Sequence, residues 1–432
     1  MSEAEAEVRA APPPLDRRHA REITRLELQA RLLVLVTLGL VAFGLVMVYS
    51  ATSAPAAIGH GDPSSYLKRQ GAYALLGLVA LIGASRIDFR ALRRLAPALL
   101  ALSFVLCSAV LVVGTQVNGA RRWLTFGSAV FQPSELAKLS LAVWAAGYLA
   151  GAPPPRTLKQ LARPLGIVAG AFCVLILVEP DLGTTIAIVL MLVAMLVVSG
   201  SPGALLLRAG AVITVLAAAA IWLEPYRRAR LLSFLNPWGD AQGAGFQNVQ
   251  AMIGLGAGGL FGVGLGQGVQ KVNYLPEAHT DMILAVIGEE LGLVGVAAVI
   301  VAYTVFAYTA LSIALRCRDP FGKRLAAGIG ALICAQAAIN IGTVLGVAPL
   351  TGIPLPFISY GGSNLVVALA CVGILLNIAS NGAEERAHVS DRSRRDRRPR
   401  AAVARGRRSA EGPRGGRDVR RVAGSHRGAT RP

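Results

Sequence analysis

Residues 32–54 read LLVLVTLGLVAFGLVMVYSATSA, with no charged side chain in the whole stretch. The hydrocarbon core of a bilayer is about 30 Å thick, and a helix crosses it in about 20 residues. This stretch is therefore long enough to span a membrane, and its recurrence decides the fold. The 31 residues before it are polar and balanced, six Arg against six acids, and we read no cleavable signal peptide in them. Downstream, apolar runs recur near residues 71–85, 95–114, 132–150, 165–178, 182–199, 204–223, 282–315, 325–347 and 362–379. Glu179, Pro180, Asp181 and Gly183 split what would otherwise be one long run, because such backbone belongs at a surface or a water-filled cavity.

Composition agrees with this reading. The chain has 432 residues, 54% of them hydrophobic and only 16% charged, with a mean hydropathy of +0.56. Soluble domains carry about 25% charge. These values exclude a disordered protein and argue against a soluble enzyme. The expectation is an all-α polytopic membrane protein with about ten transmembrane helices. Residues 1–31 are its N-terminal tail, 32–379 its membrane domain and 380–432 a basic, disordered tail. With the N-terminus inside, the short inner loops carry more Lys and Arg than the outer ones, and both termini are cytoplasmic. Residues 224–280 then form a large extracytoplasmic loop between the seventh and eighth helices, and a connection of that length is usually functional.

The net charge of +19 is concentrated in the tail, where residues 380–432 hold 16 Arg against six acids. The tail lacks the aromatic interleaving that stacks on nucleic-acid bases. We read it as a segment attracted to anionic headgroups, with membrane lipids and no nucleic acid as partners. The five cysteines form no CxxC pair and the five histidines are scattered, so no metal site is visible. GLGAGG at 254–259 matches G-x-G-x-x-G, but it lacks a preceding strand and a βαβ context. It reads better as a flexible or closely packed re-entrant segment.

The chemistry-bearing residues lie on the outer side. Asp281 stands where the long loop becomes a helix. It is either a cap at a helix N-terminus or a base at the bilayer edge, within reach of a lipid headgroup. Arg121 and Arg122 in NGARRW, and Arg227, Arg228 and Arg230 in PYRRAR, would suit a lipid diphosphate, since Arg binds phosphate oxygens in a bidentate way. Glu135 and Lys138 in QPSELAKLS share one helix face and read as a buried ion pair or as substrate contacts. One of Glu289 and Glu290 is expected to answer a buried cation. PLPFISYGGS at 354–363 is irregular backbone just before the last helix.

Taken together, NGARRW, QPSELAKLS, EPDLGTT, LPEAHTDMILAVIGEELG and PLPFISYGGSN resemble the SEDS family over about residues 30–380. Within it, the chain looks most like the division members, with the elongation members second. The resemblance implies a peptidoglycan glycosyltransferase that polymerises lipid II, as donor and acceptor, into β-1,4 glycan and releases undecaprenyl diphosphate. It would act at the septum in the bacterial inner membrane, beside a class B penicillin-binding protein and other division proteins. The family's essential aspartate matches Asp281. Substrate-binding roles are implied for Arg121, Arg122, Trp123, Glu135, Lys138, Lys271, Glu277, His279, Ser359 and Tyr360. No cofactor is certain; magnesium or manganese could assist the diphosphate. The rival readings are a lipid II flippase and a structural scaffold for division partners.

Overall fold

The computed structural model describes residues 17–57, 63–117, 120–127, 129–272 and 274–382. Residues 1–16 and the tail from 383 onward, with the tail readings made above, lie outside them. The helices are α1 (Arg17–Ala57), α2 (Pro63–Arg86), α3 (Phe89–Val113), α4 (Pro133–Gly151), the short α5 (Leu158–Leu161), α6 (Ile167–Val178), α7 (Leu182–Val198), α8 (Gly203–Leu223), α9 (Pro225–Leu235), α10 (Phe246–Gly258), α11 (Ile283–Arg316) and α12 (Pro320–Val344). A final helix, α13, covers Gly362–Gly382. Each apolar run coincides with a helix, the 282–315 run with one that is broken at Gly292. Among the described residues, seven helical stretches are long and apolar enough to cross a membrane, one of them the combined α5–α6 stretch Leu158–Val178, while α7 is a shorter apolar helix. The protein is thus a multi-pass membrane protein.

The helix ends follow local chemistry. Asp88, Asp181 and Asp319 cap α3, α7 and α12 by accepting backbone N–H bonds, which satisfies donors that a helix start leaves open. The EPD turn separates α6 from α7 where the sequence places the break. Helix α12 sits at the centre, packed on α11, α7 and α4. At the other end of the bundle Asn377 of α13 accepts from Phe89 N (2.9 Å) and donates to Ser85 O (2.8 Å), pinning the last helix to the α2–α3 turn.

Two features correct the expectation. The first is a three-stranded antiparallel sheet between α3 and α4: β1 (Thr115–Val117), β2 (Ala120–Phe126) and β3 (Ala129–Phe131), in that order. The chain is therefore not all-α. In ARRWLTF, successive side chains alternate between the two faces, and Arg122 and Leu124 share one of them. The second correction concerns α11, expected as one continuous helix. It breaks at Gly292, whose φ of 67° and ψ of −163° are not helical. The chain after α10 fills the break. Val263 N and Gly264 N donate to Glu289 O and Glu290 O, both at 3.0 Å. Leu293 N and Val294 N donate to Gly259 O (2.9 Å) and Leu260 O (3.2 Å). Backbone groups opened at membrane depth must find such partners.

The glycine-rich stretch is thus closely packed rather than nucleotide-binding. A Cβ on Gly258 would lie 1.9 Å from Gly288 O, whereas one on Gly256 would meet nothing within 4 Å. Gly258→Ala should cost about 1–3 kcal/mol, the scale of an overpacked core. Gly256→Ala, inside the same helix, should be neutral or slightly stabilising. Thermal unfolding of the two proteins in detergent checks the contrast. Equal melting points would contradict the close approach.

The segment is also held by charge. Lys271 Nζ lies 2.6 Å from Glu290 Oε1 and 3.1 Å from Ser50 Oγ, and all three side chains are buried. Ser50 Oγ in turn donates to Glu290 at 2.7–2.8 Å. Glu289 accepts from Val269 N (2.7 Å) and Gln270 N (3.2 Å). Glu290 is therefore the carboxylate that answers the buried cation, and it joins α1, the incoming segment and α11.

Candidate active site

Asp281 lies just before α11, in a turn fixed from two sides. Asn340 of α12 donates through Nδ2 to Asp281 O (2.7 Å) and to Ile353 O (2.8 Å). That amide ties the turn to the segment 349–353 that follows α12. Gly352 has a φ of 71°, and a Cβ on it would stand 3.9 Å from Asp281 Oδ2. Thr280 Oγ1 lies 2.9 Å from Glu277 Oε2 and 3.3 Å from Asp281 Oδ1, so two carboxylates compete for one hydroxyl proton. Burial pushes the Asp281 carboxyl from its ordinary 3.8 up to about 7, and the charge of Glu277 adds to this. The guanidinium of Arg230 and the hydroxyl of Thr280 pull the other way. The result is a carboxyl that both holds and releases a proton near neutrality, as a general base requires.

Arg230 acts on this carboxyl, and two further arginines sit at the end of α6. The last carbonyls of α6 and its following turn form the negative end of the helix dipole, and two arginines take them. Arg122 Nε donates to Glu179 O at 2.8 Å and its Nη2 donates to Pro180 O, while Arg227 Nη2 donates to Leu177 O. Arg230 Nη1 donates to Leu350 O at 3.2 Å. Arg227 and Arg230 line a small pocket with Pro180, Leu182, Pro349 and Thr351. Thr351 directly precedes the Gly352 that touches Asp281. The arginine-lined pocket and the carboxyl are therefore neighbours across the 349–353 segment.

The other expected residues fall into three places. His279 and Tyr360 join the Asp281 neighbourhood, with Tyr360 N donating to His279 O at 2.9 Å. Burial lowers the His279 imidazole and so favours the neutral ring, with the nearby Glu277 charge opposing it. Ser359 shapes the PLPFISYGGS backbone: its Oγ accepts from Leu355 N (2.8 Å) and its carbonyl from Gln70 Nε2 (3.1 Å). Glu135 and Lys138 form a buried pair at 2.8 Å, and Asn364 Nδ2 of α13 donates to the second Glu135 oxygen at 3.1 Å. Lys271 is committed to Glu290. Trp123 lies on β2, where its carbonyl accepts from Thr115 Oγ1, and Arg121 is exposed, with its guanidinium 3.4 Å from Val112 O. The structure thus gathers Asp281, Glu277, His279 and Tyr360, brings Arg122 to the EPD turn, and sets Lys271 and Arg121 apart.

Residues outside the expected set also belong here. Asn340 left a signal, being an amide inside an apolar run. Tyr66, whose ring centroid lies 4.9 Å from that of His279, left none. Among the described residues, no group of three or more His, Cys, Asp or Glu side chains could hold a metal ion. Asp281 and Glu277 offer two carboxylates, which is short of a protein-built site.

Comparison with known proteins places this arrangement. Residues 30–384 match the cell cycle protein family FTSW_RODA_SPOVE, and the chain belongs to that family. It is 40% identical over 351 residues to the probable peptidoglycan glycosyltransferase FtsW of Trichlorobacter lovleyi, covering 81% of this chain and 92% of that one. The protein of the same description from Nitrosococcus halophilus is 43% identical over 345 residues, covering 78% and 89%. Stage V sporulation protein E of Bacillus subtilis is 39% identical, covering 81% and 96%. Among solved structures, a chain described under structural coordination of polymerization and crosslinking by a peptidoglycan synthase complex superposes with a TM-score of 0.70. It shares 32% identity and covers 81% of this chain and 97% of that chain. Thermus thermophilus rod shape determining protein RodA gives 0.60 at 29% identity, covering 81% and 96%.

Proposed function

We propose that the protein is a peptidoglycan glycosyltransferase of cell division, which polymerises lipid II on the outer face of the bacterial cytoplasmic membrane. The observation that carries this reading is a buried carboxyl, Asp281, set in a fixed turn next to an arginine-lined pocket across the 349–353 segment. Asp281 takes the proton from the acceptor sugar hydroxyl as its oxygen bonds to the anomeric carbon of the donor. The bond from that carbon to the diphosphate breaks, and the departing charge is received by Arg230, Arg227 and Arg122. Because a diphosphate is already a good leaving group, cations replace the second, acidic carboxyl group of a glycosidase. Attack opposite the diphosphate inverts the anomeric centre, turning an α-linked donor into a β-1,4 strand. A divalent cation could sit on the diphosphate itself, and no step is routed through one.

The reading takes both termini as inside and counts ten spans, which would put the α2, α11 and α13 starts, the sheet and residues 224–280 on the outer side with the carboxylates and arginines. The relatives that bear the FtsW name favour division over elongation, and the peptidoglycan synthase complex favours a crosslinking partner, a class B penicillin-binding protein. The test is polymerisation of labelled lipid II by the purified protein, with and without that partner, read as glycan length on a gel. Muramidase-sensitive polymer is expected. Its absence under both conditions would overturn the reading.

The pH dependence follows from Asp281. Below pH 7 the base is increasingly protonated, so kcat/KM should fall about tenfold per pH unit and level off above 7. The sign for stability is the reverse. An acid raised by folding stabilises the fold fully below its unfolded value of about 4, and that contribution is lost as pH rises through 7. An acid limb near pH 4 in kcat/KM would contradict the assignment.

A further inference from the structure

Glu179 and Asp181 stand two residues apart in the turn between α6 and α7, and the fold treats them differently. Asp181 caps α7, its oxygens accepting from Thr184 N (3.0 Å) and Thr184 Oγ1 (2.8 Å). Glu179 is 0% exposed, and among the described residues no N–H or O–H group reaches either of its side-chain oxygens. The groups that face it are the Asp181 carboxylate of its own turn, the Arg122 guanidinium of β2 and the Cys107 thiol of α3. Arg227 of α9 holds the carbonyl of Leu177 at the same helix end, and its own Nε is also buried without a partner.

A buried carboxylate that no donor reaches is costly, and such a group keeps its proton instead. Burial pushes the Glu179 carboxyl from its ordinary 4.5 up to about 8, and the Asp181 charge adds to this. Arg122 and the Cys107 thiol oppose it. Arg122 nevertheless spends its N–H groups on the carbonyls of Glu179 and Pro180, not on the carboxyl beside them. Next to a neutral acid its positive charge stays available to an anion. A carboxylate in the same place would cancel much of that charge, in surroundings of low dielectric where it counts most. We propose that Glu179 is a positioning residue for the lipid diphosphate: as the neutral acid it leaves the charge of Arg122 to the phosphate oxygens, and as the carboxylate it competes with them. This rests on the polymerase reading and adds to it a proton-linked control of donor binding.

The test is the KM for lipid II of the purified full-length protein, wild type and Glu179→Gln, at pH 7 and at about pH 9. If only the neutral acid admits the diphosphate, the wild-type KM rises about tenfold over that range, with kcat level. The Gln variant cannot ionise, so its KM should stay nearly level. Ionisation of Asp281 acts on both proteins alike, and its limb lies below pH 7. An equal rise in the two proteins, or a level KM in the wild type, overturns the proposal. A second measurement does not depend on the Gln variant folding. Lipid II is bound to Asp281→Asn protein, which has lost the titrating base, in a calorimeter at about pH 8.5 in two buffers of different ionisation enthalpy. Uptake of about three-quarters of a proton per lipid II is expected, and no uptake also overturns the proposal. The polymerase reading fails by a different result, namely wild-type protein that makes no glycan from lipid II at any pH.

Discussion

Asp281→Asn protein is expected to fold and insert but to make no glycan. The amide keeps the shape of the carboxylate and its place before α11, where Asn340 holds the backbone rather than the side chain. It cannot accept the acceptor's proton. A positioned base is worth about 10²–10⁴ in rate, and the only other carboxylate in the turn, Glu277, is exposed and shares the Thr280 hydroxyl. Loss of at least that factor is expected in polymerisation of lipid II, with a melting point at or slightly above wild type. The stability direction follows from the raised carboxyl: removing a group that resists ionisation relieves the fold at pH above 7. A near wild-type polymerisation rate would end the assignment of Asp281 as base.

The second large effect concerns Glu135 and Lys138. Their side chains are 5% and 1% exposed and 2.8 Å apart, on a helix that packs against α3, α12 and α7. Replacing one partner strands a buried charge and costs about 3–5 kcal/mol, whereas replacing both with apolar residues of similar volume is often neutral. Lys138→Met alone, or Glu135→Leu alone, should therefore lower the melting point sharply, and the double variant should recover it. Asn364 complicates the recovery in a way that can be measured, since its amide loses the Glu135 oxygen it donates to and α13 loses a link to α4. Activity separates structure from substrate contact. A stable double variant with part of its activity makes the pair architectural, as we expect. A stable, inactive one places Lys138 against the diphosphate.

What the sequence made legible, and what it hid, follows from the range of the interactions. The helices could be read because hydrophobic length is a local signal, and the α6–α7 break because Glu179, Pro180 and Asp181 lie together. The Glu135–Lys138 pair was legible at a spacing of three. The sheet was not, although Asn118-Gly119 between alternating residues is a hairpin signal; the short strands lie between two long apolar helices, and hydropathy dominates the reading there. The break at Gly292 was hidden because nothing polar marks it, and the partners that make it tolerable come from residues 259–264. The Lys271–Glu290 pair was hidden because the two residues are adjacent only in space. Arg122 and Arg227 were visible as outward cations. Their convergence on the turn after α6 was not, because it depends on how α9 and β2 fold back onto one helix end.

The central claim is that chemistry, rather than transport, happens at the outer face around Asp281. The most direct measurement uses proteoliposomes with the protein in one known orientation, fixed by protease access to a terminal tag. Labelled lipid II is supplied only to the leaflet on the Asp281 side, with the transpeptidase partner present. The account predicts β-1,4 polymer from that leaflet, and none when the wild-type protein is replaced by Asp281→Asn. Lipid II that crosses to the far leaflet, with no polymer formed on the near side, would contradict it.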